Sequence, residues 1–486
     1  MTLTVLFAIA AARAWAADPA AAEAQLRVAS RLAAERSAAA PAAYEKAVAL
    51  DPSGPLADDA LLALARFYRA PETLAQSASI DPARAASASS ALTRLIEAYP
   101  RGERAAEARY LRAMIRLAPL PGRDPAGARE DLIEAAGASG GAFVARARAA
   151  LGALDEDAGS FTRAAGSYAR VLVEDGPADA VARASAGFAR TLLRSGRFAD
   201  AAAIAQRGLE RGRGEGAAEL AALRALGVRG VARAASATAR WSKQASPPTS
   251  MPAARGATLL VALPGGGSAV YDRKAGALQV YDARGSGVSA TALADVTALA
   301  VDPFGRIHAA AGEQVVRLDP SGPVTEAQLG SLAPVEALAV DSAGALLVVD
   351  RKGDRVARLA PGAPSWTFVR EAKGSRAIAL LQDRGRTIAA DERSGGLVAL
   401  APGAAEAPVG TVVFRRPTAL AIDAAGQIAV LDVKQESVSL LDPSGHLRDT
   451  LLTAAIGVER PAGIAFAPDG SLLVLDAATG SVVRIP

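Results

Sequence analysis

The sequence predicts a multidomain α + β protein, with an N-terminal α-solenoid followed by a C-terminal six-bladed β-propeller. Two observations predict this. Short alternating apolar segments around a glycine occur six times in the last 230 or so residues, whereas the preceding part is rich in alanine at helical spacing. A stretch of prolines and small polar residues separates the two patterns.

The propeller repeat is clearest in two segments. Residues 337–350, Ala-Leu-Ala-Val-Asp-Ser-Ala-Gly-Ala-Leu-Leu-Val-Val-Asp, return at 419–432 as Ala-Leu-Ala-Ile-Asp-Ala-Ala-Gly-Gln-Ile-Ala-Val-Leu-Asp. Similar phrases surround four more glycines, and the six glycines are 38, 39, 41, 41 and 44 residues apart: Gly267, Gly305, Gly344, Gly385, Gly426 and Gly470. A period of about 40 residues is typical of propeller blades, each a small antiparallel sheet.

Each unit predicts the same series of strands. A first strand ending at Asp423 meets a turn at Gly426, and a second strand ends on Asp432. A third strand ends at 442–445, Asp-Pro-Ser-Gly. These residues resemble the NHL repeat, whose units form six-bladed propellers, over nearly all of 257–486. The pattern departs from the repeat at Ala311, which stands where the other units have the strand-terminal Asp.

The region 17–235 predicts paired helices. Gly159-Ser-Phe161, followed by an alanine-rich helix, recurs 37 residues later as Gly196-Arg-Phe198, with weaker echoes at 43–52 and 92–100. These phrases resemble the tetratricopeptide (TPR) repeat, and 92–110 is similar to repeats of bacterial periplasmic outer-membrane assembly and Tol-associated proteins. The resemblance implies a short solenoid with a concave groove that binds peptides or helices. The alternative is a spacer that docks on the propeller.

The segments before and after the helical region predict export and a strand that closes the propeller. Residues 1–16 are typical of a signal peptide, with a short apolar run and Ala-Trp-Ala at its end. Residues 236–256 form a linker. The last repeat supplies three strands where a blade has four. We therefore expect a strand from Thr238–Ser242, or from the stretch just before Ala257, to complete the last blade.

Composition narrows the class of partner and the compartment. The net charge of +4 comes from 54 basic and 50 acidic side chains that are interspersed along the chain, which disfavours nucleic-acid binding. The sequence has no cysteine, so it has neither disulfides nor thiolate metal sites. No segment after the signal is long and apolar enough for a transmembrane helix. We expect an exported protein, in the periplasm or secreted.

Charged residues recur where the second strand of each unit ends. The strand-terminal acids Asp272, Asp350, Asp391, Asp432 and Asp476 are expected to accept hydrogen bonds from the following turn, a structural role. The alternative is a ring of carboxylates that binds cations. The basic residues after them predict one face that attracts acidic or peptide-like protein partners, with charged solvent-exposed loops as the simpler explanation: Arg273, Lys274, Arg351, Lys352, Arg393 and Lys434.

We expect no catalytic, cofactor-binding or metal-binding residues. The chain has two histidines, too few for a zinc site of the usual kind. His308 is expected to be partly buried and His446 to be solvated. The sequence therefore predicts a non-catalytic scaffold that binds proteins in a cell-envelope complex. The alternative is a propeller enzyme of the lyase or lactonase type with a helical docking domain.

Overall fold

The computed structural model describes residues 17–235 and 249–486, with short gaps. The gaps are 55, 74–75, 77–79, 139–140 and 175 in the first range, and 253–255, 320–321, 351–353, 372–376 and 401–406 in the second. The predicted signal peptide lies outside the described residues. The chain divides into two compact units, Met1–Arg148 and Ala149–Pro486. The domain bounds 17–235, 236–256 and 257–486 stay predictions.

The N-terminal region is helical, as expected. Three of its helices begin at a proline that follows an aspartate, and each aspartate side chain accepts a hydrogen bond from the backbone N–H three residues on. The described residues form eleven helices: α1 (Pro19–Ala34), α2 (Ala40–Leu50), α3 (Ala57–Phe67), α4 (Pro82–Ala98), α5 (Ala105–Arg116), α6 (Pro125–Ala136), α7 (Ala142–Asp157), α8 (Phe161–Val173), α9 (Ala178–Arg194), α10 (Phe198–Arg211) and α11 (Ala217–Ala235).

The helices α7 to α11 show how the repeated phrase folds. Gly159 and Gly196 have φ angles of +72° and +73°, which glycine adopts without a steric cost. Each glycine follows one helix, and the next helix begins two residues later, at Phe161 and Phe198. Tyr168 of α8 is almost completely buried, and its hydroxyl donates to Glu156 at 2.9 Å. The glycine therefore sets the turn, and the residues after it start the next helix.

The C-terminal region is a six-bladed β-propeller, which confirms the prediction. Neighbouring strands within each four-stranded sheet are antiparallel, and the first strands of the six blades contact one another in a closed ring. Blade 1 is β2 (Ala257–Ala262), β3 (Ser268–Asp272), β4 (Ala277–Tyr281) and β5 (Gly287–Ala292); blade 2 is β6 (Val296–Val301), β7 (Ile307–Ala311), β8 (Gln314–Asp319) and β9 (Gly322–Gln328); blade 3 is β10 (Val335–Val340), β11 (Leu346–Asp350), β12 (Arg355–Leu359) and β13 (Thr367–Glu371).

The remaining three blades follow the same plan. Blade 4 is β14 (Ala377–Asp383), β15 (Arg386–Asp391), β16 (Leu397–Leu400) and β17 (Ala407–Pro408); blade 5 is β18 (Pro417–Ile422), β19 (Ile428–Asp432), β20 (Ser437–Leu441) and β21 (Leu447–Leu452); blade 6 is β22 (Pro461–Phe466), β23 (Leu472–Asp476), β24 (Ser481–Ile485) and β1 (Thr249–Pro252). Aliphatic side chains fill the space between blades, because the strands alternate their faces between two neighbours.

The last blade is completed from the start of the region. Strand β1 pairs antiparallel with β24, with Thr249 opposite Arg484 and Pro252 opposite Ser481. This strand lies in the stretch just before Ala257, one of the two stretches considered for closure. Thr238–Ser242, the other stretch, lies outside the described residues. The pairing joins the beginning and the end of the propeller in one sheet.

The helices of the second compact unit dock on three neighbouring blades. The contacts are made by the turns between first and second strands. In blade 4, Arg194 of α9 donates to Asp383 at 2.5 Å, and both side chains are about nine-tenths buried or more. Arg384 donates back to Asp157, the last residue of α7, at 2.8 Å. One arginine from each side therefore secures this turn.

Blades 5 and 6 complete the dock. Ala424 and Ala425 of the blade 5 turn pack against the core of α9 to α11. In blade 6, Arg229 of α11 donates to the carboxylate of Asp469 at 2.9 Å and to its carbonyl oxygen at 2.8 Å. Leu226 covers Gly470 so closely that a Cβ there would collide with it. Burial alone would raise the pKa of Asp469. A hydrogen bond from the Ser471 backbone and the charges of two nearby arginines outweigh burial, so the pKa is lowered overall.

Among the helices of the described ranges, none combines the length and apolar character needed to cross a membrane.

We predict that Arg194→Ala lowers the free energy of unfolding by about 2 kcal/mol, because a buried carboxylate loses one of its donors. Asp383 keeps a second arginine, Arg386, at 2.8 Å, which limits the loss. Chemical denaturation followed by tryptophan fluorescence and circular dichroism measures the change. The control is Arg207→Ala, an exposed residue of α10. Equal stabilities of the two variants would contradict the docking contact.

We also predict that replacing 249–252 with Gly-Pro-Gly-Pro lowers the stability of the propeller by about 2–4 kcal/mol, because the ladder to β24 is lost. The uncovered edge of β24 should promote aggregation on heating. Differential scanning calorimetry and light scattering measure both effects, with Ser250→Thr as the control that keeps the strand. An unchanged melting temperature would show that β1 does not close the ring.

Candidate functional site

The end of the propeller away from the docked turns is the candidate binding face. Because neighbouring strands are antiparallel, the loops between second and third strands lie at the opposite end of each blade from the docked turns. We call this end the loop face. In the described residues it comprises the loops 273–276, 312–313, 392–396, 433–436 and 477–480, the connections that lead into the inner strands, and the first residues of those strands.

The strand-terminal aspartates hold this face together. Asp432 Oδ1 accepts hydrogen bonds from the backbone N–H groups of Lys434 and Gln435, each at 3.0 Å. Its carboxylate also accepts from the N–H groups of Arg415 at 2.6 Å and Arg416 at 3.2 Å, which lie in the connection from blade 4. One carboxylate therefore ties a loop within a blade to the connection between two blades.

The same contact recurs around the ring, which confirms the structural role expected for these residues. Asp272, Asp391 and Asp476 each accept hydrogen bonds from the backbone N–H groups of the following turn, at 2.8–3.0 Å. Asp350 accepts from the backbone and side chain of Arg355. Burial raises the pKa of Asp476, and hydrogen bonds from the N–H groups of Ala478 and Arg460 lower it below its ordinary value.

Four of the six predicted basic residues are described, and all four lie exposed on the loop face. They are Arg273, Lys274, Arg393 and Lys434. The backbone N–H groups of the last three are bonded to the aspartates, so the side chains extend from fixed positions. Arg351 and Lys352 lie outside the described residues. A role in partner binding stays a prediction for all six.

Sequence reasoning missed three further arginines on this face. Arg415 and Arg416 are exposed, and Arg416 lies 3.3 Å from the carboxylate of Glu392. Arg460 donates to the carbonyl oxygen of Ala477 at 2.6 Å. Arg416 and Arg460 each precede a proline that begins an inner strand, so an alignment of the repeats at those prolines could have found them.

A β-bulge lies near the start of each of the six inner strands, and together the bulged residues form a ring, in which four of the six are polar. The register shifts at the same place in all six blades, so that the second residue of each inner strand has no partner on the second strand. Bulges redirect side chains and are frequent beside binding sites. The residues at this position are Thr258, Thr297, Glu336, Ile378, Thr418 and Ala462.

Two of these bulged residues carry hydroxyl groups that nothing in the described residues satisfies. The Oγ1 atoms of Thr258 and Thr418 are buried and have no hydrogen-bond partner. Glu336 is exposed, with its carboxylate on the same ring of residues. The arrangement can bind a group that both accepts and donates hydrogen bonds. The sequence signal was the polar residue at the second position of an otherwise aliphatic strand.

His308 belongs to a buried charge cluster in blade 2, away from the loop face. Its Nδ1 lies 2.7 Å from Glu326 and its Nε2 lies 3.4 Å from Asp302. The ring is 2% exposed, so it is more buried than expected. Arg306 donates to Asp302 at 2.5 Å, and Arg317 donates to Glu326 at 2.6 Å.

The cluster favours a protonated imidazole. Burial lowers the pKa of His308, but its hydrogen bonds to Asp302 and Glu326 outweigh burial and raise the pKa overall. The same bonds, with Arg306 and Arg317, bring the pKa values of the two carboxyl groups below their ordinary values, although burial alone would raise them. His446, by contrast, is exposed beside Asp442, as expected. Across the described ranges, no group of three or more His, Cys, Asp or Glu side chains is arranged to hold a metal ion.

We predict that His308 makes the stability of the propeller depend on pH. The pKa of His308 is raised in the folded state, so its contribution to the free energy of unfolding is complete below the pKa of the unfolded chain, about 6.5. This contribution is lost as the pH rises through the pKa of the folded state. Asp302 and Glu326 have lowered pKa values, so their contributions are lost only as the pH falls below about 4. Denaturation from pH 4 to 9 should show this decline, and His308→Gln should remove it and cost about 2 kcal/mol at pH 6. A wild-type profile parallel to that of the variant would contradict the assignment.

The comparisons with known proteins found similar structures for the propeller. No family model matches the sequence, and no curated protein sequence matches it. Among solved structures, the chain is similar to a protein of unknown function from Bacteroides thetaiotaomicron, with 14% identity and a TM-score of 0.42 over 50% of this chain and 73% of that chain. It is similar to a streptogramin B lyase, with 13% identity and a TM-score of 0.39 over 49% of this chain and 95% of that chain. It is also similar to the calcium-binding protein regucalcin from Agrobacterium tumefaciens, with 18% identity and a TM-score of 0.39 over 49% and 93%.

Proposed function

We propose that the protein is a non-catalytic exported scaffold that binds other proteins in a cell-envelope complex. Two surfaces take part, the loop face of the propeller and the groove of the helical repeats. The observation that carries the proposal is that the two ends of the propeller differ in what they contact. The helices occupy the turns of blades 4 to 6, whereas exposed cations stand at the opposite end.

The chemistry of the loop face favours an acidic partner segment. Arg273, Lys274, Arg393 and Lys434 have no ion-pair partner within the described residues, so their charges are available. Exposed carboxylates such as Glu313, Glu336 and Glu436 also lie on this face. The unpaired cations offer positions at which an acidic segment gains electrostatic attraction, which accelerates its association. The aspartate contacts fix the backbone from which these side chains extend, so little ordering is required on binding.

The helical region supports a second binding surface. Paired helices with the same glycine turn at Gly159 and Gly196 are similar to TPR units, and stacked units of this kind form a concave groove. The small side chains of alanine let the helices approach closely. A peptide or a single helix fits such a groove. Residues 1–16 would direct the mature chain, beginning near Ala17, to the periplasm.

The titratable groups support binding over catalysis. The carboxylates of Asp272, Asp391, Asp432 and Asp476 accept hydrogen bonds from backbone N–H groups of the turns that follow them, so their oxygens are occupied by the fold. His308 is held between two carboxylates inside blade 2. A general base must reach the proton that it removes, and these groups are committed to the fold.

We predict that reversing the charges of Lys274, Arg393 and Lys434 to Glu weakens capture of envelope proteins by the full-length chain about tenfold or more, because an acidic partner would meet like charges. Crosslinking in intact cells, followed by affinity purification and quantitative mass spectrometry, identifies the partners. The partners that the variant fails to capture should bind the wild-type chain more weakly as salt is added.

The matched control reverses three exposed arginines of the helical region, Arg84, Arg101 and Arg207, and changes the net charge by the same amount. Circular dichroism verifies that both variants are folded. Equal loss from both variants would show a general charge effect. An unchanged set of partners in the loop-face variant would reject this face as a binding surface.

One observation favours the alternative, a propeller enzyme of the lyase or lactonase type. Glu336 and the unsatisfied hydroxyls of Thr258 and Thr418 lie at the same position of three inner strands. A carboxylate beside hydroxyl groups can bind a polar small molecule and accept a proton from it. Glu336→Gln tests this. The scaffold proposal expects the variant to retain its partners, whereas metal-dependent turnover of a lactone that Glu336→Gln abolishes would support the enzyme.

A further inference from the structure

Three segments of the loop face meet between blades 4 and 5, and backbone hydrogen bonds join them into one surface. The N–H of Phe414 donates to the carbonyl of Gly395 at 2.6 Å, and the N–H of Val433 donates to the carbonyl of Arg416 at 3.3 Å. We call this surface the junction patch. It consists of the blade 4 loop 392–396, the end of the connection between the blades, 413–416, and the blade 5 loop 433–436.

The cations of the junction patch are grouped around one buried carboxylate. The backbone N–H groups of Arg415, Arg416 and Lys434 all donate to Asp432, at 2.6–3.2 Å, and Asp432 is 0% exposed. The backbone of Arg393 is fixed in the same way by Asp391, at 2.9 Å. All four cationic side chains are exposed, so they extend into solvent from neighbouring fixed positions.

The junction patch has more positive than negative charges. Its carboxylates are Glu392, which lies 3.3 Å from Arg416, and Glu436, which is exposed. Four cations against two carboxylates leave a local excess of two positive charges. Arg393, Arg415 and Lys434 have no ion-pair partner in the part of the chain that the structure describes. An anionic group would gain attraction here.

An exposed aliphatic side chain lies among these cations. Val413 is 70% exposed. Its position depends on Gly395, whose φ angle is +66°. A Cβ on this glycine would come within 2.3 Å of the Phe414 carbonyl oxygen and 3.0 Å of Val413 Cγ1. The side chain of Val413 therefore packs against the blade 4 loop on one side and presents the other side to solvent.

We propose that the junction patch binds a short acidic segment of a partner protein, with an apolar side chain of that segment against Val413 and its carboxylates beside the surrounding cations. This inference rests on the proposed function, and it limits partner binding to one place on the loop face and to one kind of sequence. Burial of Val413 supplies apolar contact, and the cations select acidic flanks.

The extent of the positive charge selects a short segment over a larger anionic partner. Glu313 and Glu336 are exposed elsewhere on the loop face. A membrane with anionic lipids, or a nucleic acid, would cover these carboxylates together with the cations and meet repulsion there. A short segment contacts the junction patch alone. We therefore assign the surface to a peptide segment.

Selection of random phage-displayed peptides on the full-length chain tests the proposal. We expect the selected peptides to carry Asp or Glu on both sides of a Leu, Ile, Val or Phe. Fluorescence anisotropy of one selected peptide measures its affinity. Arg415→Glu and Lys434→Glu should each weaken binding about tenfold. Arg284→Glu, an exposed charge reversal in the β4–β5 turn at the opposite end of the propeller, should leave the affinity unchanged.

A second variant tests the apolar contact separately from the charges. Val413→Ser should weaken binding about fivefold, because the contact with the apolar residue is lost. A peptide in which Ser replaces that apolar residue should bind the wild-type chain and Val413→Ser equally. Equal losses for the two peptides on Val413→Ser would contradict a direct contact.

A measurement on the wild-type chain keeps the test decisive if a variant folds poorly. Hydrogen exchange in the three segments of the junction patch should slow when the selected peptide is bound. Unchanged exchange there would overturn the proposal. Vesicles of phosphatidylglycerol that bind the chain and displace the peptide would assign the surface to a membrane instead, and would also overturn it.

The failure of this inference can be distinguished from the failure of the proposed function. Acidic peptides that bind Arg415→Glu normally, but fail to bind the double variant Arg273→Glu and Lys274→Glu, would place the binding site at blade 1. That result would overturn the junction patch and leave the loop face as a protein-binding surface. Selected peptides without any preference for acidic residues would contradict both.

Discussion

The ion pairing of arginines between the helices and the turns of blades 4 and 6 is the interaction on which the arrangement of the second compact unit depends. Arg194 and Arg229 come from the helices and bind Asp383 and Asp469. Arg384 comes from the propeller and binds Asp157 and Glu156. Glu156 is buried, yet its pKa falls to about 2, because Arg190 and Arg384 outweigh the effect of burial. Asp383 and Asp469 each have a second arginine, Arg386 and Arg484, so removing one partner weakens the contact without leaving the carboxylate unpaired. The ion pairs at blades 4 and 6, with the packing at blade 5, hold the helices and these blades together.

The dock leaves the loop face free to differ from blade to blade. The strand-terminal aspartates fix the backbone of its loops, and the bulges place one side chain per blade at the ring. Neither feature constrains the exposed side chains that follow. A repeat protein can therefore change its binding surface at positions such as Arg273 or Arg393 with little effect on the fold. This separation between a fixed backbone and variable side chains is what the proposed scaffold requires.

Local features were predictable from the sequence, and features set by distant contacts were not. The six blades follow from a repeated phrase, and the role of Asp432 follows from its position before a turn. The dock joins Arg194 to Asp383 and Arg229 to Asp469, residues 189 and 240 positions apart, and no local pattern marks such pairs. The bulges depend on strand register. The burial of His308 depends on Glu326, which lies on the outer strand of the same blade.

Native-state hydrogen exchange tests the central claim that the docked helices and the propeller act as one body. Backbone amides of α9 to α11 and of blades 4 to 6 should open with one shared free energy, and Arg194→Ala should lower that value for both regions together. Exchange of the helices at a lower free energy, with the blades unaffected by the substitution, would show that the two move independently and would contradict the account.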